Sequence, residues 1–200
     1  WSKWHWFDVV AYWNWPGFEK KSLEVNVYSS CEEVELFLNN RSLGRKATNR
    51  STRYLASWTV PYESGALRAV GFSSGKEVNT SELKSAGPIA TIKLTADRPK
   101  IDANNQDLSY ITVELYDARG VRNPIAENLI HFSIAGPGSI VGVGNANPRS
   151  LESYSIPQRK AWQGRALVIV KSGQQPGPIT ITASTKGLPN ATIIVQTSAP

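Results

Sequence analysis

Three groups of side chains in this sequence have the types and spacing to do chemistry: a pair of carboxylates, a loop of oxygen donors, and a set of aromatic rings with amide and guanidinium neighbours. Glu33 and Glu35 stand two apart, and paired carboxylates are common general acids and bases. At strand spacing they share one face, opposite Val34 and Leu36, and read as solubilising groups on an open surface. Asp97, Asp102, Asn104, Asn105 and Asp107 offer oxygen ligands of the kind calcium takes. They lack the loop spacing and glycine of an EF-hand, so the reading is a capped, solvated turn. Cys31 is the only cysteine, which rules out an intrachain disulfide, and Glu32 and Glu33 beside it disfavour a thiolate. With only His5 and His131 in the chain, neither a zinc cage nor a cysteine–histidine pair assembles. The expectation is therefore no catalytic residue, no metal and no cofactor. The aromatic group comprises Trp13, Trp15, Tyr154 and Trp162, with Asn145, Asn147 and Arg149 as hydrogen-bonding companions.

Charge narrows the partners. The net charge of +6 divides into +2 over residues 1–87 and +4 over 88–200, without the cluster of roughly 6–10 cations a phosphate-tracking surface uses. The densest run, Arg41, Arg45, Lys46, Arg50 and Arg53, reads as a guarded hairpin edge rather than a nucleic-acid site. No stretch approaches the roughly 20 apolar residues of a membrane span, and no secretory signal pattern opens the sequence. Neither nucleic acid nor membrane is expected as a partner.

The elements that must position these groups are strands. Leu23, Val25 and Val27 alternate with Glu24 and Asn26, and Val34, Leu36 and Leu38 with Glu35 and Phe37. Asn39-Asn40 suits a tight hairpin, because Asn tolerates positive φ. Tyr54 to Val60, ended by Pro61, then Ala66 to Phe72 and Glu77 to Leu83 continue the pattern. After Ala86-Gly87-Pro88 the alternation restarts at Ile92, Leu94 and Ala96, with a polar loop over Ile101 to Asp107. Ile111 to Leu115, Ile130 to Ile134, Ala166 to Val170, Ile179 to Ala183 and Ile193 to Val195 complete a second set. Short strands at this spacing, with no helical stripe, predict an all-β chain of two tandem immunoglobulin-like antiparallel β-sandwiches, residues 1–87 and 88–200. Five of the seven tryptophans fall within the first 15 residues. Left exposed together they would form an apolar patch larger than a soluble monomer tolerates. No period organises Trp1 to Trp6, and residues 1–12 read as the tail of a preceding region.

Tyr12-Trp13-Asn14-Trp15-Pro16-Gly17 resembles the "HWNWPG" signature that follows the catalytic barrel in bacterial β-galactosidases of glycoside hydrolase family 2. The run from Glu33 to Gly44, Trp58 to Glu63 and Gly65 to Val70 resembles the family's next strands. Leu94 to Arg98, Asp107 to Ser109 and Gly142 to Pro148 resemble its C-terminal immunoglobulin-like domain. Three positions depart: Tyr12 stands where the family has histidine, Asn40 where it has a hairpin glycine, and Asn147 where a "GNGDP" string has a carboxylate.

The resemblance implies a parent enzyme that hydrolyses terminal β-D-galactosides with retention. That chemistry uses two carboxylates about 5–5.5 Å apart, which in this family lie on a barrel upstream of everything in this sequence. It also implies a bracing, rim-shaping or homo-oligomer-forming role for this region, the missing upstream barrel as partner, and a periplasmic or secreted location. The competing reading is a carbohydrate-binding module, since sugar rings stack their C–H faces on aromatics. Its residues would be Trp13, Trp15, Asn145, Asn147, Arg149, Tyr154 and Trp162. For Trp162 the alternative is a core or domain-interface tryptophan. A third reading, a stalk-like spacer, lacks the internal repeat it requires.

Overall fold

Period-two alternation becomes fifteen strands, with no helix among the described residues, in a computed structural model that describes residues 9–199. Residues Trp1 to Asp8, and with them most of the proposed N-terminal tail, lie outside the described residues. The chain divides into two compact units between Ser85 and Ala86.

In the first unit, β1 (Ser22–Tyr28) pairs antiparallel with β4 (Leu55–Pro61). β2 (Glu33–Leu38), β3 (Arg41–Ala47), β5 (Ala66–Ser73) and β6 (Lys76–Lys84) form a four-stranded sheet in the order β3-β2-β5-β6. Val34, Leu36 and Leu38 from one sheet meet Ala56, Trp58 and Val60 from the other, so the alternation expected from sequence builds a sandwich core. The β2–β3 hairpin turns on Asn39 and Asn40, both left-handed (φ 50° and 65°). These are the angles a two-residue hairpin turn demands. Asn39 also holds the neighbouring turn: its Oδ1 accepts the Ala66 N–H and its Nδ2 donates to the Ser64 carbonyl.

In the second unit, β7 (Ile89–Ala96), β9 (Leu108–Asp117), β11 (Gly138–Gly144) and β13 (Arg165–Ser172) make one sheet, ordered β11-β13-β9-β7. β8 (Lys100–Asp102), β10 (Leu129–Ala135), β12 (Gln158–Lys160), β14 (Gly177–Ser184) and β15 (Ala191–Ser198) make the other, ordered β12-β10-β14-β15-β8. Ile111, Val113 and Leu115 of β9 and Ile179 and Ile181 of β14 are fully buried between them. Two features differ from the antiparallel expectation. The segment read as a polar loop from Ile101 contains β8, whose Ile101 is a core residue, and β8 runs parallel to β15. A three-residue strand with one apolar residue carries no readable alternation.

Candidate functional site

The carboxylates are each held by protein donors. Glu33 and Glu35 both face Arg45, at 3.6 and 3.1 Å. The Ser42 hydroxyl, 2.6 Å away, and the Arg45 guanidinium hold the Glu35 carboxyl below its ordinary range. A carboxylate kept ionised in this way is a poor proton donor. On β9, burial raises the Glu114 carboxyl, but hydrogen bonds from Arg165 and Tyr116 outweigh it and lower it on balance. In the loop after β8, Asp107 lies in a two-pronged pair with Arg98 and accepts the Asp102 N–H; Arg98 is the main cause that brings its carboxyl to about 2. Asn104 Oδ1 caps the Gln106 and Asp107 N–H groups, and Asp97 Oδ1 accepts from Arg98 and Tyr110 N–H. These oxygens form the capped turn expected from sequence.

Cys31 is a buried free thiol. Of the five cations in the basic run, Arg41, Arg45 and Lys46 lie on the edge strand β3, and Arg50 and Arg53 on the loop that follows.

The aromatic candidates separate. Trp13 belongs to the first unit's core: it is 2% exposed, meets Tyr62 edge-on at 5.2 Å, and donates its indole N–H to the Glu63 carbonyl. Trp15 is half-buried between Tyr12 and Phe18. Trp162, in the second unit, is half-buried in a tight bridge with Arg165.

The structure brings Asn145 and Tyr154 together around Arg159, a residue not singled out by sequence. They belong to the long connection from β11 to β12. Arg159 is completely buried, donating to the Glu152 carbonyl at 2.9 Å and to Asn145 Oδ1 at 3.1 Å. Its guanidinium lies 4.6 Å from the centre of the Tyr154 ring, and its Nε is 3.8 Å from the Glu152 carboxylate. Asn145 is itself buried, with its amide bonded to the Lys160 carbonyl and its Oδ1 accepting the Asn147 N–H. Asn147 in turn caps the Arg149 N–H, and the Arg149 side chain is exposed. Asn145 and Asn147 thus shape the loop with their side-chain oxygens. Tyr154, 62% exposed, is the ring the loop presents outward, and Leu151 on the same connection is fully exposed. No pattern signals Arg159, because an inward guanidinium between Gln158 and Lys160 reads as ordinary polar sequence.

A family model described as glycoside hydrolase family 2 C-terminal domain 5 matches residues 92–194, and a domain of unknown function, DUF4982, matches residues 20–79. A β-galactosidase of Bacteroides ovatus is 36% identical over 192 residues, which cover 94% of this chain and 22% of that protein. A β-glucuronidase of Formosa agariphila is 28% identical over 191 residues, 94% of this chain and 19% of that protein. Among solved structures, a glycosyl hydrolase family 2 member from Bacteroides cellulosilyticus is similar with a TM-score of 0.94 at 49% identity. That match covers 96% of this chain and 25% of the other. A β-glycosidase from Bacteroides vulgatus gives 0.85 at 30% identity, over 94% and 24%. The chain spans about a quarter or less of the length of these relatives.

Proposed function

The chain belongs to glycoside hydrolase family 2, and from that premise we propose that it is the non-catalytic C-terminal accessory region of a larger enzyme hydrolysing terminal β-D-galactosides with retention. One observation carries the reading: the chain aligns over almost its whole length with about a fifth of a β-galactosidase, and its residues 92–194 match a model of a C-terminal domain. Its own acids support it, since Glu35 and Glu114 are each tied to arginine and kept ionised. A retaining site instead needs one carboxyl protonated beside a second, nucleophilic one. The galactoside is favoured because the B. ovatus β-galactosidase, at 36% identity, is nearer than the F. agariphila β-glucuronidase at 28%. The role of these sandwiches is to brace the catalytic barrel, shape its rim or support a homo-oligomer. The test is to express the whole encoded polypeptide and compare chromogenic β-galactoside with β-glucuronide. Preferential cleavage of the galactoside is expected; preference for the glucuronide would overturn the substrate.

Carbohydrate binding is a second reading, favoured by one observation. The Tyr154 ring is fixed from within by Arg159 and open to solvent, an arrangement suited to stacking on a sugar face. Titration of galactose and lactose against the Tyr154 ring resonances tests it, and no shift at millimolar sugar would remove it.

A further inference from the structure

We propose that the open edge of β1 is a strand-addition site, filled by an extended segment of the polypeptide that lies outside these 200 residues; this rests on the reading that such a polypeptide exists.

The ladder fixes which groups are open. The Ser29 N–H donates to the Tyr54 carbonyl and the Tyr62 N–H to the Lys21 carbonyl. Antiparallel alternation from these pairs directs the N–H and C=O of Leu23, Val25 and Val27 towards β4, and those of Glu24, Asn26 and Tyr28 away from it. Among the described residues no strand pairs on that side. The inward side chains Leu23, Val25 and Val27 remain only half-buried. Beside this edge lies a cleft of about 250 Å³, lined by Leu67 and Leu83, by Tyr12 and Trp15, and by the exposed Val9 and Val10. A smaller hollow of about 60 Å³ lies further along, between Val27–Ser29 and Asn79–Ser81.

The other edges of this sandwich are guarded. β3 carries Arg41, Arg45 and Lys46 and a register shift, and β6 carries Lys76 and Lys84 opposite another shift. On β4 the Lys46 ammonium donates to the Ser57 carbonyl, and the strand ends in Pro61. Lysines, prolines and bulges are the devices by which exposed edges avoid pairing. β1, of sequence SLEVNVY, has none of them, and its register with β4 is unbroken. An edge without guards beside a cleft that offers both apolar side chains and open main-chain groups fits an edge that is covered in the working protein. The occupant's chemistry follows: an extended strand whose main chain bonds Glu24, Asn26 and Tyr28, with apolar side chains at alternate positions reaching Leu67 and Leu83. The source is favoured by length, since the relatives described above carry this portion as only 19–25% of their chains.

Residue-resolved hydrogen exchange tests this in the 200-residue chain and in the whole encoded polypeptide. In the 200-residue chain the Glu24, Asn26 and Tyr28 amides should exchange fast while Val25 and Val27 are protected by β4. In the whole polypeptide the three should slow by about a hundredfold or more. Glu24→Pro, which removes one outward N–H and spares the β4 ladder, should return Asn26 and Tyr28 to fast exchange there, with Val25 and Val27 unchanged. Fast exchange of all three in the whole polypeptide would overturn the inference. Protection already present in the 200-residue chain would overturn the assigned source, pointing to a second copy where it grows with concentration and to this chain's own residues where it does not. A gene that encodes nothing beyond these residues would instead overturn the accessory-region reading, before any exchange is measured.

Discussion

Replacing Arg159 by Met should loosen the whole β11–β12 connection. The side chain is fully buried and makes two hydrogen bonds, to the Glu152 carbonyl and Asn145 Oδ1. Hydrogen bonds from a charged donor contribute about 1.5–3 kcal/mol each. Asn145 Oδ1 keeps the Asn147 N–H as a partner, so its loss falls at the low end. The Glu152 carboxylate is partly exposed, and its ion pair adds about 1 kcal/mol or less. Met retains an apolar contact with the Tyr154 ring. The expected loss is therefore about 3–4 kcal/mol, or roughly 12–16 °C in the melting of a unit this size. Chemical denaturation followed by Trp162, the only tryptophan beyond residue 58, measures it. Limited proteolysis should show new cleavage between residues 146 and 157. A loss under about 1 kcal/mol, with the loop still resistant, would refute the claim that Arg159 holds it.

Trp13→Ala should cost about 3–5 kcal/mol in stability, as for a large core truncation; a neutral result by urea denaturation would move Trp13 out of the core. Asn40→Val should destabilise by about 1–2 kcal/mol, because a β-branched residue is forced to positive φ, while Asn40→Gly should be neutral or stabilising; paired thermal melts check both. The Asp117 carboxyl is raised by burial, but the Gly87, Val121 and Arg119 donors outweigh this and bring it from 3.8 to about 2. A depressed acid stabilises the fold above its unfolded pKa, so its contribution should be complete above about pH 4 and disappear as pH falls towards 2. Wild type and Asp117→Asn should accordingly differ in denaturation midpoint at pH 6 and converge near pH 2.

Most of the longer strands were legible because one physical signal specifies them: Ile111, Val113 and Leu115 alternate with Thr112 and Glu114 and are buried, and Val34, Leu36 and Leu38, at the same spacing, are buried too. The Asn39-Asn40 turn was legible from backbone preference alone. β8, β11 and β12 were not: β8 and β12 are three-residue strands that depend on tertiary pairing rather than on pattern, and β11 is interrupted by glycines that blur its alternation. The candidate rings show the limit more sharply. Trp13 and Tyr154 look alike in sequence, yet one is sealed in a core and the other faces solvent, and only three-dimensional packing separates them. Arg159 left no trace because its burial is compensated by partners 7 and 14 residues away along the chain.

The central claim is that these sandwiches perform no bond cleavage themselves. Incubating the purified 200-residue chain with a chromogenic β-galactoside tests it most directly. No turnover above buffer is predicted; turnover that disappears on Glu33→Gln or Glu35→Gln would contradict the account.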